Sequence, residues 1–383
     1  MTVVEIERPE GVSSVERWVR ACVDAEAFAD EQARLAQVWN FAGFTRDLAG
    51  VGDWITAKVG DREIFVQRFK EGLRAFENRC AHRHYPLKIG TRGNSPVVCG
   101  FHHWKYDDTG LALGIPNCVD LFGALPRDLN RRLTQLDVDT CGDLVFARFR
   151  GDRYQESLAQ SLGDLFPIIS ALCPADARLD YAEREVAANW KLFYQITLDD
   201  YHLAAVHPTT FGKIGYLNRD DLTYHRVGLH SAYFATANDP AGLKAMAEEC
   251  SRGVFRPATY RIFQLFPNLL IAQALLKTVG GTRVWRALIQ HVQPTGPGSC
   301  RVKTWGKLDL YRDGKGPHPV VSLATPLLTK LGRYYGDKIL EEDATTCENL
   351  QRVVSQVDRP AVFAASEERV RWFGEAYADV TGA

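Results

Sequence analysis

The sequence predicts an α+β protein in which a small all-β domain is set near the front of a larger α+β domain. Three observations predict it. A helix-period apolar run occupies residues 14–35, short alternating stretches follow from Trp39 to about Arg150, and longer strand-like stretches at 222–311 lie between helical segments.

The elements follow in order. Ser13 and Glu16 stand three apart ahead of Trp18, Val19 and Cys22, the pattern of a capping box that opens a helix running to about residue 35. From Trp39 the stretches "WITAKV", "EIFVQRF" and "LRAFEN" alternate in polarity, with turn signals at Gly60-Asp61 and Glu71-Gly72, and the strand-like "DLVFARF" closes the block. After a short helical connector, "NWKLFYQITLDDYHLAAVHP" at 189–208 reads as one helix ending at Pro208. Strand-like runs such as "TYRIFQLF", "TRVWRALIQHV" and "RVKTWGKLDL" come next, and residues 323–380 are again mostly helical. There is no internal repeat and no low-complexity segment. The resulting division is an N-terminal helical segment, 1–37, packing on the last domain, a β domain at 38–150 and an α+β domain at 151–383.

Composition narrows the function. A chain of 383 residues, 46% hydrophobic, has enough apolar material for large cores. Its net charge of -1, with no block of like charges, makes nucleic acid and anionic membrane poor partners. "MTVVEIERPEGVSS" lacks a basic flank followed by an apolar stretch, and no later run has the roughly 18 apolar residues of a membrane span, so a soluble, cytoplasmic protein is expected. Nine scattered cysteines do not resemble a paired secreted framework, and most are expected to be reduced core residues.

Two of them stand apart. "RCAHRHYPL" and "CGFHHW" give Cys80-x-His82, sixteen intervening residues, then Cys99-x-x-His102, two Cys-His pairs each on its own loop. Structural zinc would accept two thiolates and two imidazoles, although zinc modules group like ligands together. The mixed pairs match a Rieske [2Fe–2S] centre, in which two cysteines hold one iron and two histidines the other. His84 and His103 lie outside the pattern and read as loop histidines, and Arg83 and Arg92 as bracing or partner-facing charges.

Within residues 189–207, Asp199-x-x-His202-x4-His207 places a carboxylate and a histidine on one helical face. His207 would point about 140° away on an ideal helix, so it meets His202 only where Pro208 loosens the end. Two histidines and one carboxylate on one face of iron make the triad of non-haem Fe(II) oxygenases. Asp343 in "ILEEDATTCENLQ" is the candidate third ligand and Glu342 the fallback, while Asp199 suits an acceptor that orients His202. Substrate would lie between the helix, through Phe193 and Val206, and the facing sheet. On that sheet the candidates are Phe263, Phe266, Leu269 and Ile271, with Trp285 and Leu288 behind them. No G-x-G-x-x-G or P-loop is present, so NAD(P)H is expected to act through another protein.

These motifs together resemble the catalytic (α) subunit of the Rieske non-haem iron oxygenases, the aromatic ring-hydroxylating family, from Trp39 to about Gln351. The resemblance rests on "CAHRHYPL", "CGFHHWKYDDTG", "NWKLFYQITLDDYHLAAVHP", "FPNLLI", "PTGPGSCRV" and "EEDATTCENLQ". It implies a small all-β Rieske domain and a helix-grip (START/Bet v 1-like) catalytic domain whose curved antiparallel sheet grips a long helix. It also implies that Cys80, His82, Cys99 and His102 hold the [2Fe–2S] cluster and that His202, His207 and Asp343 hold mononuclear Fe(II). Asp199 would bridge the cluster of one subunit to the iron of its neighbour in a homotrimer. The implied activity is O2-dependent hydroxylation of a hydrophobic, aromatic small molecule, fed by a separate NAD(P)H-dependent reductase with or without a ferredoxin. The chain departs from the family at His84, where the pattern usually reads Arg-Gly, and at Gln195-Ile196, where many members read Glu-Asn. Oxidative N- or O-demethylation uses the same ligands. A Rieske electron carrier without oxygenase activity and a zinc-stabilised binding protein are the readings from other classes; iron content separates them, at about three irons per chain for the oxygenase and two for the carrier.

Overall fold

The computed structural model describes residues 13–210, 222–235, 242–254, 260–279, 281–312 and 318–382. The leading segment is two helices, Ser13–Arg20 and Ala25–Leu35, where the apolar period predicts one. Asp24 makes the break: its backbone is extended and its side chain accepts from Ala27 N, restarting the helix. The capping box read at Ser13 rests on a side chain outside those described.

The β block contains β1 (Asn40–Phe44), β2 (Asp53–Val59), β3 (Arg62–Phe69), β4 (Gly72–Glu77), β5 (Arg92–Asn94), β6 (Lys105–Tyr106), β7 (Ala112–Gly114), β8 (Gln135–Cys141) and β9 (Leu144–Arg148). Seven of these form one sheet in the order β1-β9-β8-β4-β3-β2-β5, and β6 and β7 form a separate ribbon. The alternating stretches seen in the sequence are β2, β3 and β4, and the closing "DLVFARF" supplies β9, which pairs back onto β1. Gly60, in the β2–β3 turn, has φ +62°, and a Cβ there would sit 2.3 Å from the Gln32 carbonyl oxygen. Only glycine lets that turn lie against the Ala25–Leu35 helix.

The second sheet contains β10 (Asp180–Val186), β11 (Leu222–Val227), β12 (His230–Ala235), β13 (Tyr260–Leu265), β14 (Leu269–Val279), β15 (Thr282–Gly296) and β16 (Ser299–Tyr311). Its order is β10-β16-β15-β14-β13-β12-β11, antiparallel throughout. Alternation divides it into two faces. Tyr233, Ile262, Leu270 and Val302 pack on the helices Trp190–Ile196, Thr325–Gln351 and Glu368–Thr381. Phe234, Phe263, Ile271 and Ile289 pack on the helices Leu158–Leu162, Leu165–Leu172 and Gly242–Ser251, and on Phe41 and Phe44 of β1.

That division splits the expected pocket residues between the two faces of the sheet. Phe263, Leu269 and Ile271 lie on the outer face, against β1 and the helices Leu158–Leu162, Leu165–Leu172 and Gly242–Ser251, and Trp285 shares the face of Ile289 by alternation along β15. Phe193 and Phe266 are in the helix-side core, Leu288 pairs with Ala272 on that side, and Val206 is half-buried between the two site histidines. The cause is a strand apolar on both faces: in "LLIA" neither phase of the alternation stands out.

Residues 189–208, expected as one helix, form two, Trp190–Ile196 and Leu203–Val206. Polar side chains between them compete with the helical ladder. Thr197 Oγ1 donates to Tyr194 O at 2.6 Å, and Asp199 accepts from Tyr201 N. Buried Asp200 accepts from Arg369 Nη2 at 3.3 Å and from the Tyr233 hydroxyl at 2.8 Å.

The Ala25–Leu35 and Glu368–Thr381 helices meet at the site helix. Lys191 is fully buried and pairs with buried Glu31, which also accepts from Trp190 Nε1 at 2.8 Å and from the Tyr377 hydroxyl. Removing one partner of such a buried pair costs about 3–5 kcal/mol, because the other charge is left unpaired in the core. Among the described residues no helix is long and apolar enough to cross a membrane.

Candidate active site

The two Cys-His loops are built alike. Cys80 N donates to Tyr85 O at 2.9 Å and His84 N to Cys80 O at 3.0 Å; Cys99 N donates to Trp104 O at 2.9 Å and His103 N to Cys99 O at 3.0 Å. In each loop the residue four after the cysteine has positive φ, +61° at His84 and +57° at His103. The two unassigned histidines therefore hold the left-handed turn of each loop, a conformation His tolerates better than most non-glycine residues. Both are exposed. Arg83 lies over the Phe101 ring and Arg92 pairs with Asp47 at 2.7 Å, so both brace loops.

Cys80 and Cys99 are buried, while the imidazoles of His82 and His102 approach the surface with ring centroids 4.7 Å apart. His82 stacks flat on Trp104. Burial raises the Cys99 thiol and lowers the His82 imidazole; the neighbouring Cys80 thiol adds to the first shift, and His102 and Arg83 to the second. His82 Nδ1 is buried with no hydrogen-bond partner. A [2Fe–2S] cluster fits this donor set: two adjacent thiols face inward and two imidazoles outward, one with an orphaned nitrogen.

Sequence reading missed Tyr106, whose hydroxyl lies 3.0 Å from Cys80 Sγ and accepts from Ala81 N at 3.1 Å. A hydrogen bond to a ligand sulfur favours the reduced, more negative cluster. Tyr106→Phe is expected to lower the midpoint potential by on the order of tens of millivolts with the cluster retained. A redox titration followed by absorbance measures it, and an unchanged potential would show that the hydroxyl does not reach the bound cluster's sulfur.

The second centre is carried by the short Leu203–Val206 helix and the long Thr325–Gln351 helix. His202 and His207 flank the short helix, and His207, before Pro208, has left the α region at φ −115°, ψ 46°. The two Nε2 atoms are 3.3 Å apart, and Asp343 Oδ1 lies 2.9 Å from that of His207 and 3.6 Å from that of His202. A point equidistant from three atoms at these separations lies about 2 Å from each, a metal–ligand bond length. Asp343 Oδ1 is buried and makes no well-formed hydrogen bond, as expected of donors aimed at a shared centre. Among the described residues this is the group of His, Cys, Asp and Glu side chains able to hold a metal ion. Glu342, the alternative third ligand, turns to His207 Nδ1, the nitrogen away from that centre. Asp199 reaches His202 Nδ1 at 3.4 Å, through a turn and not along a helical face.

Charge is concentrated here. Burial alone would depress His202, but Asp199 and Asp343 outweigh it and hold the imidazole up at about 9. Burial opposes the charge on Asp343 too, and the two histidines hold its carboxyl below the usual range. Without metal, then, His202 is protonated at neutral pH, and binding a metal at Nε2 must expel that proton. Fe(II) affinity of the metal-free site is expected to rise with pH from neutrality upward, since Asp343 and Glu342 hold the His207 imidazole up as well. A titration at four pH values checks it; a flat profile would show His202 unprotonated. In the metal-free protein the same pairing stabilises the fold fully below the unfolded pKa and is lost as pH rises through about 9.

A Cys2His2 cradle and a two-histidine, one-carboxylate triad in one chain define an iron-dependent oxygenase. The chain belongs to the ring hydroxylating alpha subunit family: the model of that catalytic domain matches residues 175–383, and a Rieske [2Fe-2S] domain model matches residues 38–126. Membership implies a Rieske cluster, a mononuclear iron and O2 as co-substrate. The chain is 29% identical to the alpha subunit of 2-aminobenzenesulfonate 2,3-dioxygenase from an Alcaligenes species, over 82% of this chain and 79% of the relative. It is 32% identical to the large subunit of anthranilate 1,2-dioxygenase from Burkholderia cepacia, over 54% of this chain and 52% of the relative. In fold it is similar to naphthalene 1,2-dioxygenase from a Rhodococcus species, with TM-score 0.69 and 18% identity, over 97% of this chain and 98% of the other.

Proposed function

We propose that the chain is the terminal oxygenase that hydroxylates an aromatic small molecule, with Cys80, His82, Cys99 and His102 holding the cluster and His202, His207 and Asp343 the mononuclear iron. The observation that carries this reading is the convergence of His202, His207 and Asp343 within 4.8 Å of one another in a chain that also has the Cys-His cradle. When bound, the cluster supplies single electrons and the iron activates O2 beside the substrate. Everything else belongs to the chain. His202 and His207 present Nε2 to the centre, Asp343 offers one oxygen, and Phe193, Phe266 and Leu288 supply apolar surface on the same side of the sheet. Val206 stands half-buried between the ligands.

Electrons come from a separate NAD(P)H-dependent reductase, directly or through a ferredoxin, in the cytoplasm. The subunits form a ring-shaped trimer in which Asp199 bridges the two kinds of centre between neighbours. In support, His102 is exposed beside Phe101, and Phe122 lies beside His82; the two rings are 50% and 40% exposed, an apolar surface at the cluster's edge. Asp199 is likewise half-buried beside exposed Tyr201, within reach of another chain. A head-to-tail contact of these two patches closes into a ring.

The two curated relatives are named for anthranilate and 2-aminobenzenesulfonate, aromatic rings bearing an acid group, and compounds of this kind are the substrates to try first. With a Rieske-oxygenase reductase and NADH, O2 uptake should depend on the aromatic compound and yield a hydroxylated ring. Uptake that no aromatic compound stimulates would count against the reading. Sedimentation velocity tests the trimer.

A further inference from the structure

The two neighbouring carboxylates Glu342 and Asp343 have separate tasks. Asp343 Oδ1 faces Nε2 of both histidines, whereas Glu342 Oε2 lies 2.8 Å from His207 Nδ1. The hydroxyl of Thr210 donates to that same Oε2 at 3.1 Å, and the hydroxyl of Thr209 donates to Oε1 at 3.2 Å. Both oxygens of Glu342 are thus engaged, and its carboxyl is held below the usual range, burial being outweighed by His207 and the threonine hydroxyls.

We propose that Glu342, gripped by Thr209 and Thr210, is the positioning residue that fixes His207 as the Nδ1–H tautomer and aims its Nε2 lone pair at the metal centre. A neutral imidazole has one N–H and one lone pair, and a carboxylate at Nδ1 requires the N–H there. Nε2 is then the acceptor, as a metal requires, and the ring, whose side chain is 1% exposed, has little freedom to turn. His202 is held differently. Its Nδ1 lies 3.4 Å from Asp199 without a well-formed hydrogen bond. The work is thus divided: Glu342 secures iron through His207, and Asp199 is left to serve His202.

The inference rests on the reading of His202, His207 and Asp343 as iron ligands. Its test titrates Fe(II) into full-length protein that keeps its cluster but has been stripped of mononuclear iron. The variants are Glu342→Ala, Glu342→Gln, the pair Thr209→Val with Thr210→Val, and His207→Ala. Glu342→Ala should weaken Fe(II) binding about 10- to 100-fold. Glu342→Gln keeps an acceptor of the same shape and should restore part of that loss; the threonine pair should show a smaller loss than Glu342→Ala. Cluster absorbance and the melting curve report on the fold. Binding by Glu342→Ala within twofold of wild type, while His207→Ala loses iron, would overturn the proposal. Should the alanine variant not fold, wild-type affinity in both the glutamine variant and the threonine pair would overturn it. Wild-type binding by His207→Ala would instead remove the iron triad itself, a separate failure.

Discussion

His202→Ala is expected to lose the mononuclear iron and all O2-dependent turnover while remaining red-brown. The three triad atoms span 2.9 to 3.6 Å, and removing one leaves two donors for an ion that needs a full face of ligands. Asp343→Ala should do the same, since its Oδ1 is the charged member of the set. Iron should fall from about three to two per chain, with acid-labile sulfide unchanged at about two. The cluster loops share no residue with the triad and pack in a different core, so they have no reason to respond. Iron content, sulfide and O2 uptake measured on one preparation decide it. A variant that keeps its third iron would place the metal elsewhere.

Asp199→Asn is expected to cut turnover by about two orders of magnitude or more with both metal centres loaded. The carboxylate is held ionised although burial opposes it, by His202 and by the backbone N–H of Tyr201. Asparagine keeps the shape and loses the charge, so the proposed bridge between imidazoles of two subunits would fail while iron stays in place. The measurement is the re-oxidation of pre-reduced cluster by O2 with substrate present, followed in a rapid-mixing spectrometer. Slow re-oxidation with normal iron content is the expected signature. A rate within threefold of wild type would remove Asp199 from the electron path, and a loss of iron would make it only a brace for His202.

The cluster loops and the triad were legible because their chemistry fixes residue type and spacing. Cys80 with His82 and Cys99 with His102 each sit within one short turn, and His202 and His207 flank one helical turn, so local geometry alone brings each pair close. Asp343 was legible only as a candidate beside Glu342, since it arrives from a helix more than 130 residues later. What sequence could not give was phase and long-range pairing. Ile262 and Phe263 are equally apolar, and only the packed sheet shows which of them faces the helices. The break after Ile196 depends on Arg369 drawing Asp200 out of the ladder, a partner that no local pattern names. Glu342 and Asp343 look interchangeable in "EED" until the fold turns one to Nδ1 and the other to Nε2.

The buried Glu31–Lys191–Tyr377 cluster has a consequence for how the protein is made. A ribosome delivers Glu31 first, the whole β block next, then Lys191, and Tyr377 only after all of these. The β block can therefore close, and take up its cluster, on a chain still being synthesised, while the iron-binding layer waits for the final helix to dock. Nascent chains that stall before residue 368 would carry a coloured, finished front and an unsealed back. A truncation that removes the Glu368–Thr381 helix would thus deplete the mononuclear iron before it affects the colour.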